Sequence, residues 1–274
     1  MTENFHKALK LYQKGSFNKS FILAKRDFKN NPNDTRYYFL FGLIFYAQNK
    51  FTDSLKNLNL SLKYHPNNVD VLITKFHCLR ACSEYSTALK TLDLIESIDS
   101  RKSDIYFFYG ECHLKLKNAE KAKVYFKKTL DFSQSKTSFL NIANTYIENN
   151  YFLEASNILK KYPNFINDDE MILKYCKNQF KYNSNNFNEV KKLLDKFLLN
   201  NNDNCEALFA LANCLVLIGK SKEAIKPFIK VTQLDYKFEE YAGHSYCQLS
   251  RLNFEINEEG ISILEQRFND FSEI

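Results

Sequence analysis

At 274 residues, with 45% hydrophobic and 26% charged residues, the chain has the composition of a folded protein rather than a disordered or fibrous one. Six Gly and four Pro are too few for a strand-and-turn architecture of this length, so helices that need little punctuation are expected. The formal charge is +6, but residues 251–274 carry six acids against two arginines, net −4, which leaves +10 on residues 1–250.

The segment Met1–Lys7 lacks the apolar stretch of a secretory signal, and no apolar run of about 18 residues occurs. A soluble, cytoplasmic protein without membrane contact is expected. Seven Cys, an odd number without paired spacing, suit a reducing compartment.

A period close to 34 residues runs along the chain. Its clearest copy is 35–68. An apolar helix (Tyr38, Phe41, Gly42, Phe45) is followed by a break at Asn49-Lys50. A second helix (Phe51, Ser54, Leu55, Leu58, Ser61, Leu62) ends at His65-Pro66-Asn67-Asn68. With Thr35 as position 1, small residues fall at positions 8, 20 and 27, large apolar ones at 4, 11, 17 and 24, and Pro at 32. Small side chains let two backbones approach, large ones fill the space around the contact, and Pro stops the second helix.

The other copies follow in chain order. Residues 1–34 give Ala8, Gly15, Phe17, Ser20, Phe28 and Pro32. Residues 69–102 give Leu79, Tyr85, Ala88 and Leu92, with a bulky Phe76 at position 8. Residues 103–135 give Tyr106, Tyr109, Gly110, Ala122, Phe126 and Thr129. Residues 136–167, after one residue of slippage, give Ala143, Tyr146, Phe152, Ala155 and Leu159. Residues 168–204 are degenerate. Their second helix is clear (Phe187, Val190, Leu193, Leu194, Phe197), but the first keeps poor register and the turn Tyr182–Asn186 is long. Residues 205–236 restore the pattern with Leu208, Ala212, Leu215, Gly219, Ala224, Phe228 and Val231. About seven helix pairs are expected, the sixth loosened.

From residue 237 the period fails. Two helices, about 238–250 and 257–271, are expected as a cap over residues 237–274, the second opened by Asn257 and Glu258-Glu259.

Over about residues 1–238 the pattern resembles the tetratricopeptide repeat family. The early Trp of that family is absent throughout, and Pro at position 32 occurs only in the first two units. The resemblance implies an all-α fold, a right-handed superhelical solenoid of helix pairs A and B. Its A helices would line a concave groove for a peptide or partner helix. The segments 246–254 and 263–268 are also similar to the connector that follows the repeats in bacterial tetratricopeptide repeat–sulfotransferase proteins. No GxxxxGK[ST] loop follows, so on that second reading the chain is a stand-alone or truncated module.

Candidate chemistry is sparse. Cys78, Cys112 and Cys214 all occupy position 10 of their units, and such recurrence points to a packing role rather than metal ligation. None of the five His lies in a motif with a nucleophile. Neither a metal, a cofactor nor a small-molecule substrate is expected, and the reading is of a protein that is not an enzyme. The family's carboxylate clamp would need Lys, Asn and Arg where this chain has Phe5, Leu9, Leu40, Asp70 and Thr74, so a chaperone-tail receptor is not expected. Positions 5, 9 and 12 are mostly apolar instead. The candidate partner-binding groove is Phe39, Leu43, Tyr46, Ile73, His77, Phe107, Glu111, Leu114, Leu140 and Asn144. The expected function is a non-catalytic scaffold for a protein or peptide. The basic body leaves an RNA-binding helical repeat as an alternative, with nucleic acid not the expected partner.

Overall fold

The computed structural model describes residues 3–99, 104–182, 185–234 and positions 241, 244, 245, 248 and 249. Among them are fourteen α-helices and one 3₁₀ turn, Phe165–Asn167. The chain divides into two compact units, residues 1–138 and 139–274. In the first unit the pairs are α1 (Glu3–Gln13) with α2 (Phe17–Asn30), α3 (Arg36–Ala47) with α4 (Phe51–Tyr64), α5 (Val69–Ala81) with α6 (Tyr85–Ile98), and α7 (Asp104–Lys115) with α8 (Ala119–Phe132). In the second they are α9 (Lys136–Glu148) with α10 (Phe152–Lys160), α11 (Asp169–Tyr182) with α12 (Phe187–Asn200), and α13 (Cys205–Leu217) with α14 (Ser221–Leu234). The expected cap over residues 237–274 lies outside the described residues, apart from the five positions named above.

The turn from helix A to helix B is the most regular feature of the backbone. Position 15 is left-handed in six pairs: Gly15, Asn49, Ser83, Lys117, Asn150 and Gly219, with φ between 57° and 78°. In each, the N–H of position 16 donates to the carbonyl of position 11, as from Glu84 to Leu79 at 2.8 Å and from Lys220 to Leu215 at 2.8 Å. The N–H of position 15 donates to the carbonyl of position 12. This paired arrangement uses two of the carbonyls that a helix end leaves without partners. Asn68, Asn118 and Asn204 cap the starts of α5, α8 and α13 through their side-chain oxygens.

In the pairs α3–α4 and α7–α8, position 8 is a point of very close approach. A Cβ at Gly42 would lie 2.6 Å from Leu58, and one at Gly110 would lie 2.4 Å from Phe126. Leu58 and Phe126 both stand at position 24 and are buried. Where position 20 is Ser, its hydroxyl donates back to the carbonyl of position 8: Ser20 to Ala8 and Ser54 to Gly42, each at 2.7 Å. That bond satisfies a hydroxyl which burial would otherwise penalise.

The sixth pair is regular where its sequence is not. α11 buries Met171, Ile172, Tyr175, Cys176, Asn178 and Gln179, which puts Cys176 at the small-residue position 8. Two residues are inserted in the turn that follows, and this displaced the register in the sequence. The helix B of the fifth pair is short, because α10 stops before Tyr162-Pro163. The residue before Pro avoids helical geometry and Pro has no N–H to offer.

Candidate site on the A-helix face

Position 10 shows what the recurring cysteines do. The Cys78 thiol donates to Ser54 Oγ at 3.2 Å and the Cys214 thiol to the Phe187 carbonyl at 3.0 Å, each reaching the preceding helix B. Burial pushes the Cys112 thiol up to about 12 and the Cys214 thiol up to about 11, so both stay protonated and inert. In α11 the same position holds Asn178, whose amide donates to the Phe152 carbonyl at 2.5 Å and to Ser156 Oγ at 2.7 Å.

On the A-helix face of the first unit, Phe39, Leu43, Tyr46, Ile73, His77, Phe107 and Glu111 are all partly buried, with some surface left to solvent. Leu114 is different. It has no exposed surface, because at the end of α7 position 12 turns into the core, and it drops out of the surface set. Phe39 and Leu43 line an open pocket of about 320 Å³ together with Phe5, Leu9 and Leu40 and the polar residues Arg36, Ser61, His65 and Asn68. Arg36 is held in place twice: its guanidinium pairs with Asp34 at 2.6 Å and lies 4.7 Å from the centre of the Phe5 ring. The pocket lining is thus mainly apolar, with four polar residues among it. Sequence reasoning missed Phe5 and Arg36 as its members, although they stand at positions 5 and 2 of their units.

Further along this face, His77 sits among Tyr46, Phe76 and Phe108, with ring centres 6.5, 5.2 and 5.4 Å away. Its Nδ1 is buried without a partner. Burial, and then the charge of Arg80, pull the imidazole below its usual range, so it is neutral and belongs with the apolar lining. Arg80 crosses from α5 to pair with Glu111 of α7 at 2.9 Å. Glu111 is therefore a tie between two A helices, not a free carboxylate. At the carboxylate-clamp positions, Leu40 is buried and the Thr74 hydroxyl donates to the Asp70 carbonyl at 2.9 Å.

In the second unit, polar ties cross between A helices. Leu140 and Asn144 of α9 are partly buried, and Asn144 accepts a hydrogen bond from Lys174 of α11 at 2.5 Å. Lys177 pairs with Glu206, which also accepts from the Tyr241 hydroxyl at 3.1 Å. Phe209, at position 5 of the seventh pair, lies 5.5 Å from the Tyr241 ring and 6.2 Å from His244. The chain's own later residues thus pack on that position.

Residues 103–135, the pair α7–α8, match the family model of the tetratricopeptide repeat. No curated protein matches the chain. Among solved structures, the C-terminal part of a TPR repeat-containing protein from Cytophaga hutchinsonii is similar at 13% identity and a TM-score of 0.69, over 87% of this chain and 98% of that one. A tetratricopeptide repeat protein from Parabacteroides merdae is similar at 16% identity and a TM-score of 0.57, over 90% of this chain and 98% of that one. No helix among the described residues is long and apolar enough to cross a membrane. Its paired helices, its close contacts at position 8 and these likenesses give the chain the all-α helical-repeat fold of tetratricopeptide repeat proteins, with one unit, residues 103–135, matched to that family by sequence.

Proposed function

We propose that this chain is a non-catalytic scaffold that holds a peptide or partner helix on the A-helix face of its first unit. The tetratricopeptide repeat fold serves in general as a protein-interaction scaffold, and the observation that carries the finer reading is the pocket between Phe5, Leu9, Phe39 and Leu43. An open, mainly apolar pocket with a few polar lining residues suits one anchor side chain, with hydrogen bonds that fix its direction. Tyr46, Ile73, His77 and Phe107 extend an aromatic and apolar track beyond it. The charged groups nearest this track, Arg36, Arg80 and Glu111, are already paired, so apolar contact and shape would dominate affinity.

The test is photocrosslinking from a reactive side chain placed at Leu43, with Lys19 as a control on the exposed start of α2. The expected result is a defined partner segment attached at Leu43 and lost in the Phe39→Glu, Phe107→Glu double variant while helicity is kept. Equal capture from both sites, or capture unchanged by the double variant, overturns the reading.

A further inference from the structure

We propose that the outward face of α8 is a second docking surface, which takes an acidic amphipathic helix of a partner protein. Between Lys115 and Phe132 stand six lysines and only two acids, Glu120 and Asp131. Some lysines of the chain pair with carboxylates, as Lys160 does with Glu189 and Lys177 with Glu206. Among the described residues, none of these six does. Five of them are exposed.

The outward stripe of α8 is Lys121, Val124, Lys128 and Phe132, spaced three and four residues apart and hence on one helix face. Val124 is 56% exposed and Phe132 62% exposed, so large apolar surface alternates with unpaired cations. The stripe is also pre-set. The Phe132 ring lies nearly parallel to Tyr106, 5.5 Å away, and the Lys128 ammonium sits 5.1 Å from the centres of both Tyr106 and Tyr125. Side chains held before binding lose little freedom when a partner arrives. A helix with apolar residues at the same spacing, flanked by Glu or Asp, would cover Val124 and Phe132 and neutralise Lys121 and Lys128.

The same surface suits a nucleic acid less well. Base stacking needs free ring faces, and Tyr106, Tyr109 and Tyr125 spend theirs on each other and on Phe132 and His113. Tyr125 lies 4.6 Å from Tyr109 and 5.5 Å from His113, both nearly parallel to it. The Asp93 and Glu96 carboxylates on α6 accept hydrogen bonds from the Tyr109 and Tyr106 hydroxyls and hold these rings in the stack.

This surface lies on a B helix, and its test does not depend on the A-helix site. The probes are a labelled amphipathic peptide of about 20 residues with an apolar stripe flanked by Glu, its Lys-flanked counterpart, and an oligouridine, each followed by fluorescence anisotropy with the whole chain. The acidic peptide is expected to bind in preference to both. Its Kd should rise with salt, and by about tenfold or more in Lys121→Glu, Lys128→Glu and in Val124→Asp. These sites are exposed, and circular dichroism checks that the variants stay folded. Lys19→Glu, on the exposed start of α2, should bind it as the parent does. Equal binding of the two peptides, an affinity unmoved by the α8 substitutions, or tighter binding of oligouridine through the same lysines overturns the proposal.

Discussion

Gly110 and Phe126 touch so closely that a single added methyl at Gly110 would lie 2.4 Å from the Phe126 ring. Phe126 is 1% exposed and cannot swing out to solvent. The contact sets how near α7 comes to α8, and the same relationship joins Gly42 to Leu58.

Enlarging Gly110 therefore forces the two helices apart. Gly110→Leu should lower stability by about 1–3 kcal/mol, the usual range for overpacking a dense core. Urea denaturation reads this directly, and a midpoint equal to that of the parent would refute the role given to position 8.

The A-to-B turn yields a prediction of the opposite sign. Ser83 holds φ at 61°, where a Cβ is strained, while Gly15 and Gly219 fill the same place without cost. Ser83→Gly should raise stability by roughly 0.5–1 kcal/mol, the gain being reduced by the greater freedom of Gly when unfolded. Gly219→Ala should lower it, and since no atom lies within 4 Å of the added methyl, the loss would come from the backbone alone. Thermal melts of the two variants moving in the same direction would contradict this.

At Asn178 the repeat departs from its own habit. Its side-chain oxygen is buried without a partner, whereas Cys fills position 10 in three other pairs. Asn178→Cys should hold or raise stability, because an unsatisfied buried carbonyl costs about 1–3 kcal/mol. A clear loss would mean that the bonds from Asn178 to Phe152 and Ser156 outweigh that cost.

His77 gives the chain an acid-range liability. Its folded pKa is lowered from 6.5 by burial and then by Arg80. The folded state thus disfavours the protonated ring. The stability from this site is fully present above about pH 6.5 and is lost as pH falls through the folded pKa. The melting temperature of the parent should drop between pH 7 and pH 5 by more than that of His77→Gln. Parallel pH profiles would remove His77 from this account.

Much of the fold is legible in the residues themselves. The recurrence of Gly42, Gly110, Ala143 and Ala212 at position 8, with Phe51, Tyr85 and Phe187 opening B helices, reports a helix-pair period directly, because close packing of helices restricts which sizes fit at which spacing. Cys78, Cys112 and Cys214 announced their packing role by recurring. The sixth pair escaped because two inserted residues shift its register, although Cys176 still fills the small position once α11 is folded.

Tertiary structure decided what the period could not. It turned Leu114 inward, tied Glu111 to Arg80, and joined Phe5 of α1 to Phe39 and Leu43 of α3 around one pocket. Pairing and exposure depend on neighbours about 30 residues away along the chain, and a one-dimensional repeat records which face a residue takes, not what stands opposite it. The sequence by itself therefore determined that helices pair and where their backbones meet. Only the folded chain decided which side chains on those helices remain available to a partner, because availability is set by the contacts that packing leaves unmade.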